Sequence, residues 1–166
     1  MKIRQIVSLV AAALTAVSAA PAFAVSISRA DGQPMNPNGE PFSAAGLLLV
    51  KKAPVLANCT ATFNGTITSA GIVNITSAQF TGGSICAFLS NDASSTAPWT
   101  GQADSTTQWS INNMKVNVAL VGTCGPDKVV ATWGDANSSM TFNNSVLTPD
   151  CGLDGRIITS PRFHVQ

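Results

Sequence analysis

A chain of 166 residues with nine basic and eight acidic side chains carries a formal net charge of +1. Only 10% of its residues are charged, against about 25% in ordinary soluble domains, and so balanced a chain offers no basic patch to nucleic acid or anionic lipid. Its polar surface must be built from Ser, Thr, Asn and Gly, which tolerates close approach to other chains and is compatible with surface adsorption or self-association.

Lys2 and Arg4 precede the apolar run IVSLVAAALTAVSAA, and Ala22-Phe23-Ala24 has the small-x-small pattern that a signal peptidase reads. Residues 1–24 are therefore expected as a cleaved export signal, cut between Ala24 and Val25. The apolar run is short of the about 20 residues of a spanning helix, and no later segment reaches that length, so no transmembrane segment is expected. Without Lys2 and Arg4 the nine basic residues fall to seven, against eight acidic ones. Export directs the chain to the extracellular space or, alternatively, to the periplasm or cell surface. The segment 25–41, with SISRADGQPMNPNGEP, is rich in Pro, Gly and Asn and lacks periodicity. It is expected as an extended or mobile arm, able to add a strand to a neighbouring chain. Residues 42–166 suit one domain with a real core rather than two.

Strand periodicity dominates from there. AAGLLLVKKA predicts an early strand. In TATFNGTIT, Ala61, Phe63, Gly65 and Ile67 share one face, while Thr60, Thr62, Asn64, Thr66 and Thr68 share the other. After the turn SAG, Val73 and Ile75 continue the apolar face of a partner strand. A strand is expected around Trp99. QWSINNMKVNVALVG reads as a hairpin turning at Asn112 and Asn113, since asparagine tolerates left-handed conformations, with Met114, Val116, Val118 and Leu120 inward. KVVATW, the turn GDANSS and MTFNNSVLTPD give another pair, with Met140, Phe142 and Val146 inward. GRIITSPRFHVQ adds a terminal strand interrupted near Pro161. About eight or nine short antiparallel strands at regular spacing predict an all-β sandwich or barrel. An outer-membrane barrel is disfavoured, since the chain has no tyrosine and only three tryptophans to form aromatic girdles.

Four cysteines, Cys59, Cys86, Cys124 and Cys151, all follow the signal, and disulfides are the natural reading for an exported chain. Four cysteines allow three pairings. The spacing from Cys59 to Cys86 equals that from Cys124 to Cys151, and each pair brackets a strand, a tight turn and a strand. Two disulfide-closed hairpin modules are therefore expected, Cys59 with Cys86 and Cys124 with Cys151. Structural zinc is not expected, since zinc ligands come in pairs two to four residues apart and no such pair exists.

The search for chemistry finds little. His164 is the only histidine, there is no G-x-S-x-G elbow, and a strand-borne surface role is expected for it. Asp127, Asp150 and Asp154 sit in Pro/Gly turns and lack a calcium-loop pattern, so neither a metal nor another cofactor is expected. The only Glu, Glu40, precludes paired glutamates for glycoside hydrolysis. No catalytic residue is assigned, and the chain is read as a non-enzyme. Trp99, Trp109 and Trp133 are candidate contacts for sugar rings or hydrocarbon, against the larger expectation that they fill the core. Thr60, Thr62 and Thr66 form a polar ladder that is a candidate surface contact, against an ordinary solvated face.

The succession NCTATFNGTIT, ITSAQFTGG, APWT, NVALVGTCGP and TFNNSVL, with cysteines in these places, resembles the alkane oxidation protein activators over residues 58 to 159 or so. The resemblance implies an extracellular accessory protein that promotes growth on long-chain alkanes by helping to disperse or contact them, without a catalytic residue. Its partner would be a long-chain alkane or an apolar interface. The alternative is a structural or adhesive protein of the cell surface or biofilm matrix, for which the Thr and Asn ladders and the arm argue.

Overall fold

In the computed structural model, which describes residues 25–166, the alternation of apolar and polar side chains carries strands of up to 13 residues. The expected export signal, residues 1–24, lies outside the described residues. The strands in chain order are β1 (Ile27–Arg29), β2 (Glu40–Lys52), β3 (Val55–Ile67), β4 (Ile72–Thr81), β5 (Leu89–Asn91) and β6 (Trp99–Ser105). They continue with β7 (Gln108–Val118), β8 (Gly122–Gly134), β9 (Ser139–Leu147), β10 (Cys151–Ser160) and β11 (Phe163–Val165). Neighbours pair antiparallel in the order β7-β6-β4-β3-β2-β10-β9-β8, and β8 pairs back with β7, which closes an eight-stranded barrel with β5 as an extra strand beside β7. Of the two expected architectures the molecule is the barrel, and its main strands are longer than the short ones expected.

Closure dictates what fills the interior, because an eight-stranded barrel is just wide enough for side chains. Phe63 packs edge-on against Trp99 and Phe80, with ring centroids 5.7 and 6.4 Å away, and Trp109 lies 5.4 Å from Trp133. The residual hollow among Phe42, Ile67, Trp109, Trp133 and Phe163 is about 10 Å³, room for about one water molecule. Apolar side chains fill the inside and Thr, Asn and Ser coat the wall, the reverse of a membrane barrel. Among the described residues no helix is long and apolar enough to cross a membrane.

Both disulfides form as the spacing predicts, Cys59–Cys86 and Cys124–Cys151, each spanning 27 residues. They lie toward one end of the barrel, the cystine pole, with the turns at 53–54, 119–121 and 148–150 and a 3-10 turn, Ser84–Phe88. The opposite end, the ribbon pole, is covered by β1 and β11, which pair with each other and seat Ile27, Phe163 and Val165 in the core. The segment 25–41 is therefore extended but not a free arm: β1 is held by β11, and the Ile27 amide donates to Ser69 O at 2.7 Å. The barrel takes in this segment instead of beginning at Phe42.

Three further expectations are corrected. Asn112 and Asn113 do not turn the chain; β7 runs through them, and Asn113, at φ 61°, forms a bulge against β8. The same tolerance of positive φ serves a bulge as well as a turn. Leu120 is not inward but 99% exposed, because the true turn lies at 119–121. Val146 is 65% exposed and Leu147 is buried, because a bulge at Asn144 (φ 50°) shifts the alternation of β9 by one residue.

Candidate functional site

At the cystine pole the turns bring together residues that are distant in sequence. Pro54 and Val55 come from the β2–β3 turn, Ile85 and Phe88 from the 3-10 turn, and Ala119, Leu120 and Val121 from the β7–β8 turn. They line a cleft of about 260 Å³ without one ionisable side chain. Val55, Ile85 and Val121 rest against the core, while Phe88 is 47% and nearby Leu56 67% exposed. The 3-10 turn is held by the Cys59–Cys86 cystine and by the Ala119 amide, which donates to Phe88 O at 2.9 Å.

The central observation is Leu120. It is fully exposed and at φ 73°, a left-handed conformation that costs an ordinary side chain roughly 1–2 kcal/mol and that Gly or Asn adopts more easily. Folding gains nothing from a leucine there. Strain and exposure at one residue point to contact with something outside the chain.

Charges near this pole are paired. The Lys52 ammonium is buried against Asp150, Lys51 Nζ lies 2.5 Å from Asp154, and Asp127 accepts from the Thr148 amide and hydroxyl at 2.6 and 2.8 Å. Lys51, and then the Asn144 amide, hold the Asp154 carboxyl below the usual range. Only Asp150 lies in a turn, since Asp127 belongs to β8 and Asp154 to β10; the three serve separate local bonds, and no group of three His, Cys, Asp or Glu suited to a metal occurs among the described residues.

The ribbon pole carries ion pairs and, among the described residues, one exposed large apolar side chain, Ile72. Arg29 pairs with Glu40 and Asp31, and the Asp135 carboxylate accepts from His164 Nδ1 at 2.7 Å, the Val165 amide at 2.8 Å and the Trp133 indole at 3.1 Å. Burial pushes the Asp135 carboxyl up, but these donors outweigh it, the Val165 amide first, and hold it below the usual range. A carboxylate with a depressed folded pKa stabilises the fold above its unfolded pKa, and that contribution is lost as pH falls through the folded value. With Asp135 43% exposed, the contribution is discounted to about 1 kcal/mol. Protection of the Ile27 and Val165 amides, measured against their intrinsic exchange rates, is expected to fall in acid below the ordinary carboxylate range, and Asp135→Asn should remove that pH dependence of the protection. An unchanged profile in the variant would overturn this.

The tryptophans take the core alternative: Trp99, Trp109 and Trp133 are 1%, 1% and 4% exposed, each on an inward position of its strand. Thr60, Thr62 and Thr66 do form an outward row on β3, with Thr60 exposed beside Leu47 and the other two half-covered. His164 is a half-exposed strand residue bonded to Asp135. The apolar cleft was not singled out by sequence; its one local signal is the unbroken apolar run VALVG, ending at a glycine where the chain turns.

These features define a class: a small closed β-barrel, fastened by two cystines, with an apolar interior and an apolar cleft at one pole. The chain belongs to the alkane oxidation protein activator PraA/PraB-like family, whose model matches residues 1–166. The match extends beyond the resemblance at 58–159 to both ends of the chain. By its description the family is one of alkane oxidation protein activators. No curated protein and no solved structure gives a significant match.

Proposed function

We propose that the protein is an exported, non-enzymatic accessory that promotes alkane use by seating its cystine pole in a hydrocarbon surface, or in the cell surface that meets it. The observation that carries this reading is Leu120, an exposed leucine held at a positive φ beside an apolar cleft. The filled interior supports contact at the pole over enclosure of a chain within the barrel, since about 10 Å³ admits no alkane. The two cystines support an oxidising destination outside the cytoplasm.

The adhesive alternative draws on the Thr60, Thr62 and Thr66 row. Against it, the closed wall pairs its long strands on both edges and the arm strand is already docked on its own chain, which leaves little edge for strand addition. A strain lacking the gene is expected to grow normally on glucose and poorly on hexadecane, with growth restored by purified protein added from outside. Equal growth on both carbon sources, or failure of the added protein to cure the defect, would defeat the proposal.

A further inference from the structure

A second depression lies on the barrel wall, where two irregularities face each other. Asn113 bulges from β7 at φ 61°, and Gly125, at φ 82°, opens β8 beside it. The 92–98 loop between β5 and β6 forms the remaining side. The cleft is about 460 Å³, bordered by Asp92, Pro98, Trp99, Thr100, Asn113 and Pro126, within the roughly 300–1,000 Å³ of small-molecule sites.

Its chemistry is unlike that of the pole. Asp92 Oδ1 accepts from the indole of buried Trp99 at 3.1 Å, and Lys115 Nζ lies 3.3 Å from Oδ2, so the carboxylate is fixed from two sides. Asn113 and Thr100 border the cleft, and neither side chain makes a hydrogen bond among the described residues. Pro98 and Pro126 supply apolar flanks.

These groups select by elimination. An anionic ligand would meet Asp92, and the single nearby ammonium, Lys115, is already engaged by it. A hydrocarbon would strip water from Asp92 and Asn113 and return no hydrogen bond. A neutral polyhydroxyl ring offers what the cleft lacks: hydroxyls that both donate and accept, for a carboxylate, an amide and a hydroxyl, and C–H faces for the two prolines. The opening on the wall admits a residue within a longer chain.

We propose that this cleft binds one hexose unit of a neutral polysaccharide. The proposal stands apart from the apolar pole, so either can fail alone. Nitrogen-15 spectra of the purified protein titrated with cellohexaose, maltohexaose and mannohexaose test it, with an oligoguluronate as the anionic control. At least one neutral oligomer is expected to shift Thr100, Asn113 and Lys115, with a Kd on the order of millimolar. Asn113→Gly keeps the positive φ and removes the side chain with its amide, and should weaken binding by about fivefold or more, in a variant whose spectrum is otherwise that of the parent. No shift with any neutral oligomer, tighter binding of the oligoguluronate, or undiminished binding by Asn113→Gly would overturn the proposal.

Discussion

Leu120→Asn is expected to leave the protein as stable as the parent or more stable, by up to about 1 kcal/mol, while weakening its adsorption to a hexadecane–water interface by about tenfold or more. The first half follows from backbone sterics: Leu120 sits at φ 73° and is 99% exposed, and asparagine occupies that region at lower cost. The second half follows from transfer energetics, since moving one leucine side chain out of water contributes about 1.5–3 kcal/mol and 1.4 kcal/mol is a tenfold change. A variant that merely unfolded would lose both quantities together; here the two are expected to move apart. Pendant-drop tensiometry and urea unfolding on the same preparation measure both. A variant that adsorbs like the parent would remove the pole from the mechanism.

Removing the Cys59–Cys86 bridge by a double Cys→Ala substitution is expected to cost about 3.5 kcal/mol of stability and to reduce adsorption in the protein that remains folded. Removing Cys124–Cys151 should cost a similar amount and leave adsorption nearly intact. The equality comes from the chain-entropy model, because both bridges span 27 residues. The difference comes from position: Cys86 lies in the 3-10 turn between Ile85 and Phe88, so its loss frees two side chains of the apolar cleft. Urea midpoints and tensiometry on the two double variants check this, and equal adsorption in both would show that the turn is not part of the contact.

Much of the wall was legible in the sequence because a strand declares itself locally. Phe63, Ile67, Val73 and Ile75 are buried as the period-two alternation requires, and equal cysteine spacing identified both bridges. What escaped was non-local or ambiguous. Asn113 carries the same residue signal whether it turns or bulges, and only its pairing with β8 separates the two. Ile27 belongs to a strand of three residues, too short for periodicity to register. The apolar cleft unites residues 54–55, 85–88 and 119–121, which come together only when the barrel closes. Leu120 was placed inward because the alternation of β7 was extended past its true end at Val118.

The amide of Ser26 donates to Gln166 O at 2.9 Å, and the Gln166 amide returns a bond of the same length to Ser26 O. The two ends of the described chain therefore leave the molecule side by side at the ribbon pole, across the barrel from Leu120. A handle fused at either end, or a bead coupled through it, holds the protein by that pole and turns the opposite one outward. An immobilised layer made this way presents one uniform orientation, with every cystine pole directed at whatever the layer touches.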